Sequence, residues 1–211
     1  MTIDTADLKR MFDTIAVAIE ADKDRLCQLD GVIGDADHGI AMALGFNAVR
    51  DALASLDLAA TEPTALLNTA AKSFLNAVGA SSGPLYATAF MRGAAAVKGK
   101  AALADADLIA LFQAMAQGIK DRGKAEPGEK TMVDAWQPAA EAAAAANVAG
   151  KALAESLGAA LAAAESGAEA TKEMIAAKGR SSRLGERSLG HIDPGAASAV
   201  TVIGAIRKSL S

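Results

Sequence analysis

The 211-residue chain is short of most features that commit a protein to a particular class. Its one cysteine, Cys27, leaves no internal disulfide and fits a reducing compartment. Aromatic residues are five Phe, one Tyr and one Trp. Runs of Val, Ile and Thr are thin as well, which argues against a β-sandwich or barrel. No positive excess exists: 21 Lys and Arg face 25 Asp and Glu, for a net charge of −4. The basic face that nucleic acid requires is therefore missing. Every alanine-rich stretch long enough to span a bilayer contains Lys, Glu or Asp, so no membrane segment is expected. The opening MTIDTADLKRM carries acids where a signal peptide carries a basic start and an apolar middle. A cytoplasmic protein is expected, with neither nucleic acid nor membrane as partner.

What the chain has in abundance is alanine, about a quarter of all positions against a far lower ordinary usage. High helix propensity with few β-branched residues predicts an all-α fold. Eight helical segments follow from the apolar spacing. They cover about 5–29, 39–56, 61–78, 84–97, 105–122, 131–146, 151–177 and 195–210. The seventh would be about 40 Å long at helical rise. No composition break or Gly/Ser linker divides the chain, so residues 1–211 are read as one domain. In an up-and-down antiparallel array, alternate connections lie at the same end. The connections after segments one, three, five and seven are polar and glycine-rich, whereas the remaining ones are bland. One rim therefore collects four unusual loops, and loops on a rigid scaffold are where function tends to sit.

The first loop reads Asp30-Gly31-Val32-Ile33-Gly34-Asp35-Ala36-Asp37-His38-Gly39. Three carboxylates in eight residues repel one another unless a cation neutralises them, and hard oxygen ligands suit Mg²⁺. The bland alternative has Asp37 capping the second helix and Asp30-Gly31 forming a turn. The second loop, Gly79-Ala80-Ser81-Ser82-Gly83-Pro84, opens a helix with residues small enough for an anion to approach the backbone. Read alone, it is an ordinary helix stop and start. Residues 123–131 imitate a Walker A loop, but with an extra residue before the lysine and no preceding strand, so that reading fails. The fourth loop, 178–195, sets four cations against two acids. Such loops are usually just solvated; opposite three aspartates in an acidic protein, a shared polyanion explains it better. Acid-held Mg²⁺, basic residues and helix N-termini together describe a nucleotide phosphate site. His38 suits a phosphate contact or a structural hydrogen bond better than a general base, and Cys27 and Trp136 lie on packing stripes.

Four motifs occur in this order: Gly34-Asp-Ala-Asp-His-Gly39, Gly79-Ala-Ser-Ser-Gly-Pro84, Lys124-Ala-Glu-Pro-Gly-Glu-Lys-Thr-Met132 with Val133-Asp-Ala-Trp136, and Gly185-Glu-Arg-Ser-Leu-Gly-His-Ile-Asp-Pro-Gly195. Together they resemble the nucleotide-binding L subunits of bacterial dihydroxyacetone kinases, over nearly the whole chain. The resemblance implies an eight-helix antiparallel barrel with ADP or ATP clasped by the loops at one end. It implies a metal triad on Asp30, Asp35 and Asp37 that holds two Mg²⁺ ions. It places nucleotide contacts on His38, Gly39, Ile40, Ala41, Ser81, Ser82, Gly123, Met132, Arg180, Asp193, Pro194 and Gly195. In this scheme Arg180 is the catalytic residue, offsetting charge on the transferring phosphoryl together with the metal. Its partners would be a K subunit that holds dihydroxyacetone and a phosphocarrier M subunit that recharges bound ADP. Free ATP is the donor in the other branch of the family; residues 35–38 and 124–128 favour the phosphocarrier branch. Relatives often carry Asn where this chain has Ala41, which removes one amide contact. Two further readings stay open on sequence alone: an ATP-dependent kinase subunit for another small ketose, and a nucleotide-loaded binding module without chemistry.

Overall fold

The computed structural model describes residues 2–79 and 82–210. Eight α-helices make up most of it: α1 (Thr5–Ile33), α2 (His38–Ala54), α3 (Pro63–Ala77), α4 (Ser82–Ala96), α5 (Asp105–Gly123), α6 (Val133–Val148), α7 (Leu153–Ala170) and α8 (Pro194–Leu210). The all-α expectation holds. Among the described residues, the only sheet is an antiparallel pair of two-residue strands, β1 (Thr2–Ile3) and β2 (Leu103–Ala104), which pins the N-terminus to the start of α5. Strands this short leave no periodic trace in a sequence. No helix among the described residues is long and apolar enough to cross a membrane.

Local chemistry accounts for the helix starts. Asp4 and Asp7 close a reciprocal capping box at α1: each carboxylate accepts the other residue's backbone N–H, at 2.9 and 3.0 Å. Pro63 occupies the first turn of α3, where its missing N–H costs nothing. Each helix packs on its neighbours in the chain, and α8 packs back on α1, so the contacts form a closed cycle.

All seven aromatic side chains are buried and join in one continuous cluster. Phe12, Phe46, Phe74, Tyr86, Phe90, Trp136 and Phe112 are linked by ring contacts between 5.1 and 6.3 Å, most of them edge-to-face. They come from α1 to α6. Helices α7 and α8 contribute no ring; their buried faces mix alanine, among it Ala160, Ala164, Ala196 and Ala199, with Leu157, Val202 and Ile203.

The seventh helix is shorter than its propensity suggests. It ends at Ala170 after 18 residues, about 27 Å, and a 3-10 turn at Thr171–Glu173 follows. Tertiary bonds stop it. The Thr171 carbonyl is taken by the Lys130 ammonium, and the Thr171 hydroxyl bonds back to the Ala168 carbonyl. Farther on, the Ala177 N–H donates to the Glu129 carbonyl at 3.1 Å. These partners replace the backbone N–H and carbonyl groups that a continuing helix would otherwise supply.

Close approach between α6 and α7 depends on Gly167. A Cβ built there would lie 1.9 Å from the Asp134 carbonyl oxygen, so only glycine fits. Gly158, in the same helix, meets nothing closer than the Arg207 Nε at 3.8 Å. Gly167→Ala should destabilise the protein by about 1–3 kcal/mol through overpacking. Gly158→Ala should instead stabilise it by about 0.5–1 kcal/mol through reduced unfolded-state entropy. Urea denaturation of both variants checks the pair; shifts of the same sign would refute the close-approach account.

Candidate functional site

The four polar connections meet at one end of the helix array, around a cavity of about 650 Å³. Its lining draws on all four: Asp30, Gly34, Asp37 and His38; Gly79 and Ser82; Gly123, Lys130 and Met132; Lys178, Arg180, Asp193 and Gly195. Three non-glycine residues among those described have positive φ: Ala36 (63°), Lys124 (49°) and Lys130 (59°). All three lie in these connections. Left-handed backbone costs a side-chain-bearing residue roughly 1–2 kcal/mol, and such strain concentrates at functional sites.

The acidic loop is organised by its most buried carboxylate. Helix α1 runs on to Ile33 and so carries Asp30 inside its last turn. From there one Asp30 oxygen accepts the N–H groups of Asp37 at 3.0 Å and His38 at 3.2 Å, capping α2 from the neighbouring helix. Asp37 occupies the N-cap position but makes no capping bond of its own. The bland expectation for Asp37 thus fails: the side chain that meets the start of α2 is Asp30, which takes two of its open N–H groups. Ala36 turns the chain between Asp35 and Asp37, and Asp30, Asp35 and Asp37 each bring one oxygen within 4.8 Å of the others. Across from them the Arg180 guanidinium pairs with Asp35 and, at 3.2 Å, with Asp37. A cluster that draws a guanidinium to itself, with oxygen donors alone, has the chemistry of a hard divalent cation site.

The opposite wall rests on a buried cation. Lys130 is 1% exposed, and its ammonium donates to the Thr171 and His191 carbonyls. Burial pulls its pKa down, with Asp193 and Asp134 opposing. Asp134 accepts the N–H groups of Gly128 and, at 2.7 Å, Thr131, so it shapes the connection that carries Lys130. Asp193 caps α8, accepting the Ala196 N–H at 2.7 Å. Burial pushes the Asp193 carboxyl up to about 7, against the Ala196 N–H and the Lys130 charge. His38 is held low by burial, with Asp30 opposing, and its Nε2 lies 2.9 Å from the Ser198 hydroxyl.

Of the residues expected at the site, Asp30, Asp37, His38, Ala41, Ser82, Gly123, Met132, Arg180, Asp193, Pro194 and Gly195 line the cavity. Asp35 does not line it but pairs with Arg180, which does. Gly39 and Ile40 do not line it. Gly39 is buried against α1, where a Cβ would meet the Lys23 carbonyl, and Ile40 is 51% exposed. Ser81 lies outside the described residues. Lys130, Asp134, Thr171 and Ser198 were not anticipated. Lys130 and Asp134 stand within the third motif without a role assigned there, and Ser198 left only a single hydroxyl within the small-residue run Ala196-Ala-Ser-Ala199.

Comparison with known proteins adds three similarities and a family match. The model of the DAK2 domain matches residues 32–208. The chain is 35% identical over 98% of its length to the ADP-binding subunit DhaL of PEP-dependent dihydroxyacetone kinase 1 from Listeria innocua, covering 97% of that protein. It is 41% identical to the corresponding Escherichia coli K12 subunit, over 82% of this chain and 81% of that one. Its fold matches a crystal structure of the C. freundii dihydroxyacetone kinase in complex with AMP-PNP and Mg²⁺, with a TM-score of 0.75 at 24% identity over 95% of this chain. The chain spans about a third, 33%, of that kinase chain.

The raised Asp193 pKa makes a pH-dependent contribution to stability. Between 3.8 and about 7 the folded chain retains a proton that the unfolded chain has released. The contribution is therefore complete below that window and is lost as pH rises through it. Asp193→Asn keeps an oxygen for the Ala196 N–H but does not titrate. Its stability relative to the parent should improve steadily from pH 4 to pH 7 and then level off. Urea denaturation across that range checks this; a pH-independent difference would refute it.

Proposed function

The chain belongs to the DAK2 domain family, and from that premise we propose that it is the ADP-binding subunit of a phosphoenolpyruvate-dependent dihydroxyacetone kinase. In this reading residues 1–211 form one cytoplasmic domain. It passes a phosphoryl group from Mg-bound nucleotide to dihydroxyacetone held on a separate K subunit, and a phosphocarrier M subunit recharges the ADP. The names of the Listeria innocua and Escherichia coli subunits, each covered over more than four fifths of its length, support the assignment.

One observation carries the reading: Arg180 meets an all-carboxylate cluster at a cavity large enough for a nucleotide. Leu85, Ile119, Met132 and Val133 offer apolar surface for a base, with Gly123 leaving room beside Leu85. Lys178 and Arg180 offer charge for phosphates. Asp30, Asp35 and Asp37 would hold two Mg²⁺ ions, which supply charge neutralisation at the phosphates when bound. Asp30 has a second task, since it also sets the start of α2. Arg180 is the one of these groups free to act on both sides. Its guanidinium can leave the carboxylates for a phosphoryl oxygen without moving far. Lys130 has no such freedom, because both carbonyls it binds are structural. Ser82, Asp193, Pro194 and Gly195 place the N-terminal turns of α4 and α8 against the cavity, where backbone N–H groups can meet an anion. Ala41, half-buried in the wall, contributes only a methyl group.

Asp35→Asn removes charge from an exposed position and should leave the helical fold intact. ADP affinity in the presence of Mg²⁺ should fall roughly 10- to 100-fold, the scale of one charge-assisted contact. Isothermal titration calorimetry measures that loss, and phosphoryl transfer to dihydroxyacetone with purified K subunit should fall with it. Parental affinity in the variant, or a parent that binds ADP but transfers nothing with K subunit and charged phosphocarrier, would overturn the proposal.

A further inference from the structure

Ser198 is buried in the second turn of α8, fully inaccessible, in a run otherwise made of alanine and glycine. It faces two partner atoms with a single proton to donate. Its Oγ lies 2.9 Å from the Gly195 carbonyl on its own helix and 2.9 Å from His38 Nε2, the first residue of α2 and 160 positions away in the chain. A hydroxyl has one O–H to donate but can accept as well. If Ser198 donates to the Gly195 carbonyl, its lone pairs remain for an N–H on His38 Nε2, and both short contacts become hydrogen bonds. If it donates to His38 Nε2 instead, the contact to Gly195 is left without a proton. Two bonds outweigh one, all the more in a buried setting. Tyr86 lies behind the pair, its buried hydroxyl facing Ser198 and the Trp136 Nε1; an O–H donated from Tyr86 to the Ser198 Oγ would leave the choice between Gly195 and His38 for the serine proton unchanged.

From this geometry we propose that Ser198 is a positioning residue for His38: it holds the imidazole as the Nε2–H tautomer and leaves Nδ1 unprotonated on a side chain that lines the cavity. His38 Nδ1 has no hydrogen-bond partner among the described residues and is not sealed in the core. The wall at His38 therefore presents an acceptor. It meets an O–H or N–H of the bound molecule, such as a sugar hydroxyl or an ordered water, and a phosphate oxygen placed directly against it would be repelled. In the setting of the function proposed above, on which this consequence rests, His38 orients the nucleotide by receiving a hydrogen bond and leaves the phosphates to the cations. Ser198 touches no ligand itself and acts only through His38.

The chain has two histidines, which makes the tautomer directly readable. Long-range ¹H–¹⁵N correlation spectra of labelled protein at pH 8, without nucleotide, report which ring nitrogen carries the proton. His191→Gln leaves His38 as the only imidazole for assignment. The parent should show His38 protonated at Nε2 alone. Ser198→Ala should show a mixture of tautomers and bind ADP with Mg²⁺ about tenfold more weakly, the scale of one buried hydrogen bond lost. Ser198→Thr, which restores the hydroxyl, should recover both. A parent protonated at Nδ1, or a folded Ser198→Ala variant with unchanged imidazole signals, would overturn the proposal. Should Ser198→Ala fail to fold, the parent spectrum and the Thr variant still decide it. A parent that shows the Nε2–H tautomer but binds no ADP would instead refute the function proposed above and leave the tautomer assignment standing.

Discussion

Everything in this protein depends on helices that approach closely around a small number of rings. The aromatic cluster joins α1 to α6 through mostly edge-to-face contacts, and α7 and α8 complete the cycle with faces of alanine and aliphatic residues. Small side chains gain little from burial individually, so such helices earn their stability from near contact along their length. That is why Gly167 matters. Its missing side chain lets α7 sit against the Asp134 carbonyl, and the carboxylate of the same Asp134 holds the N–H groups of Gly128 and Thr131. Packing in the core and the shape of a loop at the cavity thus share one residue.

The cavity wall is built largely from polar groups that hold each other in place across helix ends. Asp30 at the close of α1 caps the start of α2. Lys130, before α6, binds carbonyls after α7 and before α8, and Asp193 caps α8 within reach of its charge. Each cap satisfies backbone groups that a helix end would otherwise leave open, and each does so with a side chain from another element or from the loop itself. Charged groups tolerate such burial only when paired or hydrogen-bonded. The same requirement keeps Lys130 rigid, whereas Arg180, on the exposed side, has only carboxylates to hold it. One cation of the cavity wall is thus buried among carbonyls and the other is exposed against carboxylates.

Much of this was legible in the residue order. The helices follow from alanine content and apolar spacing, and their boundaries fall within a few residues of the expected ones except in α7. The acid loop, the small-residue loop before α4 and the basic segment after α7 each stood out because their composition has no use in a helix. Asp35, Asp37 and Arg180 are brought together as their opposite charges suggested. The missed features have a common character. Lys130 looked like one more loop lysine, Asp134 like a helical acid and Ser198 like a small residue among alanines. Their partners lie 41, 6 and 160 positions away respectively, and for Lys130 and Ser198 no local periodicity connects them.

The sequence alone determined the class of fold and the chemistry available at its loops, because helix propensity, apolar spacing and the placement of charge are local properties of the chain. Only the tertiary structure decided how those charges are spent. It made Asp30 rather than Asp37 the cap of α2 and ended α7 at a lysine that comes earlier in the chain. It also set the Ser198 hydroxyl against His38. Each of those outcomes is a choice between competing partners for one donor or acceptor. Such a choice is settled by which groups the packed helices bring within hydrogen-bonding distance, about 2.7–3.2 Å between N and O.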